Sequence, residues 1–121
     1  MTYQPQVARE MLPIEAAWVG AMVEGDGSFG VYPRASQHGY MKLSVNNTEV
    51  ETIATLLRLT GAGGISVVDR ETRYHRRHHK ANWQWQVGRR ADVVAILRQI
   101  APFHTGKQDR ALALVQDNNI L

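Results

Sequence analysis

Apolar positions recur along this chain with two periods, and their succession predicts the order of elements. Residues 13 to 25 keep helical phase, with Pro13 tolerated in a first turn and Gly27 as the stop. Residues 28 to 34 then alternate, Phe29, Val31 and Pro33 facing one side and Gly30, Tyr32 and Arg34 the other. After a turn over 35–39 the alternation resumes over 40–46, where Met41, Leu43 and Val45 are apolar. Two such strands make a hairpin with one wet face. Thr48 and Glu51 have capping-box spacing, which predicts an amphipathic helix carrying Val50, Ile53, Ala54, Leu56 and Leu57 and stopping at Gly61. A third strand is expected from residue 64 to about 73, with Ile65 and Val67 towards the core. The fourth, over 80–87, is the clearest: Trp83, Trp85 and Val87 alternate with Lys80, Asn82, Gln84 and Gln86. The phase shared with Val87 marks both tryptophans as core residues. Residues 89–101 read as a helix closed by Pro102, and a last helix over about 107–117 has Ala111, Leu112 and Val115 on one face.

Helix, hairpin, helix, hairpin, helix and helix amount to a duplicated αββ unit, an α+β domain with one four-stranded sheet. At 121 residues the chain can bury one core, and no linker divides it, so a single domain over 1–121 is expected. No apolar run is long enough for a bilayer and no signal-peptide layout is present, so no membrane partner is expected. The absence of cysteine excludes a disulfide framework, a thiol nucleophile and a zinc ribbon. A cytoplasmic location fits, nucleoid-associated when bound, with organellar origin left open.

A net charge of +3 is mild, but its distribution is not. Between Arg70 and Lys80 stand five Arg/Lys, including Arg76 and Arg77, and three His against the single Glu71. That density suits a phosphate-binding surface, or else a solvated hairpin loop. By phase, one sheet face carries Tyr32, Arg34, Lys42, Ser44, Ser66, Arg70, Lys80, Asn82, Gln84 and Gln86. Arg, Lys, Asn, Gln and Ser are the side chains that read base edges, and a two-stranded ribbon fits the major groove. Acids are nearly missing from these strands, unlike an ordinary solvated face. His75, His78 and His79 have zinc-like spacing but no acidic or Cys partner nearby, which favours phosphate contact or solvation. No Ser-His-Asp layout, Walker-type loop or dinucleotide fingerprint is present.

The remaining feature is the end of the first helix. Glu24-Gly25-Asp26-Gly27 places carboxylates where the last carbonyls are unpaired and the helix dipole is negative, so a cation is welcome. Mg²⁺ takes such oxygen ligands, one or two carboxylates with carbonyls and waters. Ala17, Gly20, Ala21 and Glu24 fall at i, i+3, i+4 and i+7, a stripe of little bulk that lets another helix approach. Were that partner a second copy, two Asp26 carboxylates would meet near one axis.

The run Val19-Gly20-Ala21-Met22-Val23-Glu24-Gly25-Asp26-Gly27 resembles the motif of the LAGLIDADG homing endonucleases, with Glu24 for the first acid and Gly20-Ala21 in swapped order. Extended to about residues 13–116, the resemblance implies their αββαββα fold, an antiparallel sheet forming a DNA-binding saddle in a dimer. It implies Asp26 as metal ligand with the Gly25 carbonyl close by, and Mg²⁺ as cofactor, for which Mn²⁺ can substitute. Asn47 stands where the family has a polar side chain near the metals, with Asn46 as neighbour; equally, it is a residue leading into the next helix. Pro102-Phe103-His104-Thr105-Gly106-Lys107-Gln108 resembles the family's turn before the last helix, which implies Lys107 beside the active site with Gln108 assisting. With one motif per chain, the expectation is a homodimer through Ala17, Gly20, Ala21 and Glu24. It would cut both strands of a near-palindromic duplex in the service of intron homing. The alternatives are an RNA-splicing maturase or a non-cleaving DNA-binding protein of the same fold.

Overall fold

A computed structural model describes residues 7–32, 39–68 and 81–118. Its order is α1 (Pro13–Asp26), β1 (Gly27–Tyr32), β2 (Tyr40–Asn47), α2 (Val50–Thr60), β3 (Gly64–Val68), β4 (Asn82–Val87), α3 (Arg90–Ile100), a 3₁₀ turn (Ala101–Phe103) and α4 (Gln108–Asn118). The strands form one sheet in the order β1-β2-β4-β3, antiparallel throughout. The α+β fold class expected from the periodicities is the one observed. Among the described residues no helix is long and apolar enough to cross a membrane.

Strand alternation builds the core. Phe29, Met41, Leu43, Val45, Trp85 and Val87 are buried from one sheet face among Val19 and Val23 of α1, Ile53 and Leu56 of α2, and Val93, Ile96, Leu97 and Ile100 of α3. Trp85 is wholly buried and its Nε1–H donates to the Ala62 carbonyl at 2.9 Å, which satisfies the indole. Trp85→Phe loses that bond and some volume, and is expected to lower the unfolding free energy by about 2 kcal/mol. Urea denaturation checks this as a lower midpoint at unchanged slope.

Four local expectations need correction. Helix α2 begins at Val50, not behind a Thr48 cap: the Asn47 side-chain oxygen accepts the Glu49 N–H at 2.7 Å, an Asx turn that sets the chain's approach. Ile65 and Val67 share their sheet face with Trp85 and Trp83 by register, yet both stay exposed because β3 is the edge strand. In α4, Ala111 is buried and Leu114 packs on the core, whereas Leu112 is exposed. Pro102 lies within the 3₁₀ turn that continues from α3.

The chain is also held in place ahead of α1. Val7 and Ala8 N–H groups donate to the buried Asp92 carboxylate at 2.7 and 2.9 Å, Arg9 N–H to Thr60 O at 2.9 Å, and Met11 N–H to Gln99 Oε1 at 2.7 Å. This strap ties α2 to α3 through backbone donors.

Candidate active site and nucleic-acid interface

The junction of α1 and β1 is built by a close approach. A Cβ on Gly27 would lie 2.8 Å from Val23 Cα and 3.0 Å from Ser44 O, so only glycine lets the helix pass directly into the strand. Asp26 is thereby left exposed at the helix C-terminus, at the head of the sheet. Its Oδ2 accepts a long bond from Asn47 Nδ2 at 3.4 Å, from the end of β2. Asn47 leads into α2 through one amide atom and faces Asp26 through the other.

Lys107, at the start of α4, sends its ammonium back to the same junction. Nζ donates to Val23 O at 2.8 Å and to Gly27 O at 2.6 Å, placing a cation on the negative end of α1. Glu24 Oε2 accepts the Lys107 backbone N–H at 3.0 Å, and Oε1 accepts the Thr105 N–H and hydroxyl. The Thr105 N–H is the main reason the Glu24 carboxyl sits below the usual carboxylate range, with partial burial opposing and His104 assisting.

Two residues of the expected stripe have neighbours within their own chain. Glu24 is bonded to Thr105 and Lys107. Gly20 is buried with it: a Cβ there would lie 3.3 Å from Phe103 Cβ and 3.4 Å from Ile100 O. The exposed face of α1 is rotated from the expected stripe and runs through Ile14, Ala21 and Gly25, with Ala17 and Trp18 half-buried. Gln108 Nε2 donates to Ala101 O at 3.0 Å and closes the 3₁₀ turn.

His104 is 4 % exposed, with Nε2 3.1 Å from Gly20 O and Nδ1 buried without a partner. Donation to the carbonyl requires the proton on Nε2. Burial holds its pKa below the ordinary 6.5, although the Glu24 charge works the other way. As pH falls, the unfolded chain therefore takes up this proton first. The stability this histidine contributes is whole above about pH 6.5 and is lost as pH falls through that value towards the folded one. Thermal melts from about pH 7.5 to 5.5 should show a decline in wild type that His104→Gln lacks.

The open sheet face carries Tyr32, Lys42, Ser66, Asn82, Gln84 and Gln86, in the phase opposite to Phe29, Leu43 and Trp85. Ser44 shares the phase but is buried on a central strand, 3.5 Å from Ser28 Oγ, which corrects its expected role as a contact residue. Lys42 Nζ lies 5.6 Å from the Tyr32 ring centroid, and Tyr32 packs on Tyr40 with centroids 5.6 Å apart. Tyr40 and Ser28 join this face without having been singled out, though their polar phase in the strands was the signal. Arg34, Arg70, Arg76, Arg77 and Lys80, with the three histidines of the basic loop, lie outside the described residues. Among the described residues no group of three or more His, Cys, Asp or Glu is gathered for a metal.

No protein-family model and no curated protein matches the sequence. Solved structures do match in fold. The homing endonuclease I-CvuI, in complex with its target, superposes with TM-score 0.68 at 14 % identity, covering 88 % of this chain and 67 % of that one. The archaeal intron-encoded homing endonuclease I-Vdi141I, complexed with DNA, gives 0.66 at 16 % over 88 % and 67 %. The LAGLIDADG homing endonuclease I-SmaMI, bound to cleaved DNA, gives 0.64 at 15 % over 98 % and 40 %. The fold is that of the LAGLIDADG homing endonucleases. This chain spans about two thirds of I-CvuI and I-Vdi141I and two fifths of I-SmaMI.

Proposed function

We propose that this chain is a homodimeric, divalent-metal-dependent DNA endonuclease that makes a double-strand break in a long, near-palindromic target and serves intron homing. The observation that carries the reading is the exposed Asp26 carboxylate at the end of α1, with Asn47 3.4 Å away and the Lys107 ammonium on Gly27 O. It stands at the head of a sheet whose open face is lined by Lys42, Asn82, Gln84 and Gln86.

The donor chemistry fits Mg²⁺ or Mn²⁺. Asp26 would hold the ion with the Gly25 carbonyl, and water or phosphate oxygens would complete the shell. When bound, such an ion polarises the phosphate and makes a water more acidic. Lys107 commits two of its three N–H donors to the carbonyls of Val23 and Gly27, which leaves one for a phosphate oxygen. Asn47, held by the Glu49 N–H, can orient a water beside Asp26. I-CvuI gives context, having been crystallised on DNA with 2 mM Ca and, in another complex, with 2 mM Mg and the DNA not cleaved.

Support for the dimer comes from the contrast between two glycines of α1, of which Gly25 is open. A Cβ on Gly20 would be in tight contact with Phe103 and Ile100 of its own chain, whereas a Cβ on Gly25 would meet nothing within 4 Å. Gly25 and Ala21, in line with the 78 % exposed Ile14, form a low face that a second α1 can cover. One Asp26 per protomer then requires two copies to cut two strands, and the symmetry calls for a palindromic site. Tyr32, Lys42, Ser66, Asn82, Gln84 and Gln86 would read bases while the basic loop contacts phosphates.

Selection from a randomised duplex pool in Ca²⁺ tests the recognition half of this reading. A near-palindromic consensus is expected; retention of all sequences alike, or preference for RNA, would count against it.

A further inference from the structure

The geometry assigns Glu24 as the positioning residue that holds the Lys107 ammonium at the end of α1. The segment 104–107 grips the last two turns of that helix at successive points. His104 Nε2 lies on Gly20 O at 3.1 Å, Thr105 N–H and Lys107 N–H are accepted by the two Glu24 oxygens, and Lys107 Nζ reaches Val23 O and Gly27 O. Gly106 completes the fit, since a Cβ there would lie 3.3 Å from Glu24 Oε2.

The two carboxylate oxygens of Glu24 do what no neutral side chain of that shape can. Each accepts a backbone N–H, so both ends of the turn are held at once. Gln in its place offers one acceptor and one NH₂ group, and the NH₂ would face an N–H donor. Lys107 is long and rotamer-rich, and its reach to Val23 O and Gly27 O depends on where its own backbone is pinned. Releasing that backbone shifts the ammonium relative to Asp26, and misplacement by about 1 Å is enough to cost about 100-fold in a reaction that depends on it. Glu24 thus acts through Lys107.

The consequence for cleavage rests on the endonuclease reading; the positioning itself does not. Two measurements on full-length Glu24→Gln keep them apart, beside Val94→Ala as a core truncation away from the site. The first is the NMR signal of the Lys107 ammonium. It should be visible and slowly exchanging in wild type and Val94→Ala and lost in Glu24→Gln; a retained signal would overturn the inference. The second is single-turnover cleavage at saturating DNA with Mg²⁺, expected to fall about 10- to 100-fold in Glu24→Gln, with duplex affinity in Ca²⁺ within about threefold. Cleavage equal to that of Val94→Ala would also overturn it. Loss of the ammonium signal in Glu24→Gln, in a wild type that cuts no DNA, would keep the positioning role and remove the nuclease. Should Glu24→Gln not fold, Thr105→Pro deletes the N–H and hydroxyl donors instead. His104 already has the extended backbone (ψ 151°) that precedes proline, and the same loss of signal is expected.

Discussion

Asp26→Asn is expected to lower the rate of DNA cleavage by about 1,000-fold or more and to leave duplex affinity within about threefold of wild type. A divalent ion supplies several kcal/mol of charge stabilisation to a phosphoryl transition state, and each 1.36 kcal/mol is about tenfold in rate. Asparagine keeps the shape of the side chain and the contact with Asn47 but removes the charge that would hold the ion. The fold should tolerate the change. Asp26 is exposed, and a carboxylate at a helix C-terminus opposes the dipole, so its removal stabilises the helix by a few tenths of a kcal/mol, if it has any effect. Single-turnover cleavage in Mg²⁺ beside binding in Ca²⁺ separates the outcomes. A variant that cuts within about tenfold of wild type would remove Asp26 from the chemistry.

Ala21→Glu should turn the proposed dimer into a folded monomer, whereas Gly20→Val should damage the monomer itself. The two residues are adjacent in sequence, but α1 rotates by about 100° per residue and gives them different neighbours. Ala21 is exposed, so a glutamate there meets only water in one protomer. At a two-fold interface each copy would bury an unpaired charge against its symmetry mate, which raises the dimer dissociation constant by about 100-fold or more. A valine at Gly20 enters space that Phe103 Cβ and Ile100 O already occupy, at a cost of about 1–3 kcal/mol. Sedimentation equilibrium and thermal melts on both variants distinguish the effects. A dimeric Ala21→Glu, or an undisturbed Gly20→Val, would contradict the assignment of faces.

Which face of α1 looks outward was the point least legible from the chain alone. Ala17, Gly20, Ala21 and Glu24 satisfy helical spacing, but a small residue has two possible reasons for being small: a neighbour in its own fold or one in a partner. Only the position of the 3₁₀ turn, far along the sequence, shows that Gly20 belongs to the first kind and Gly25 is open to the second. The same distance hid the partners of Glu24, Thr105 and Lys107, which lie more than 80 positions on. The strap over residues 7–12 was silent for another reason. It is held by backbone donors on Asp92, Thr60 and Gln99, and backbone donors leave no side-chain pattern to read.

What alternation encodes was legible. Strand phase separates Phe29, Leu43, Val45, Trp85 and Val87 from Tyr32, Lys42, Asn82, Gln84 and Gln86, because a two-residue period leaves one face to pack and one open. It could not say how deep each residue sits across the sheet. Ser44 on a central strand is buried and Ile65 on an edge strand is exposed, the reverse of what their polarity suggests. The helix C-terminal acid was legible too, since its glycine-flanked position follows from local chemistry.

The claim at the centre of this account is that the chain cuts duplex DNA at a site set by its own two-fold symmetry. Incubating it with a randomised near-palindromic duplex library in Mg²⁺, and sequencing the ends produced, tests that claim directly. The account predicts paired cuts on both strands at one near-palindromic sequence, absent in EDTA and absent with Asp26→Asn. A library that stays intact in Mg²⁺ while a subset of its sequences is tightly bound would contradict the nuclease and leave a DNA-binding protein with this fold.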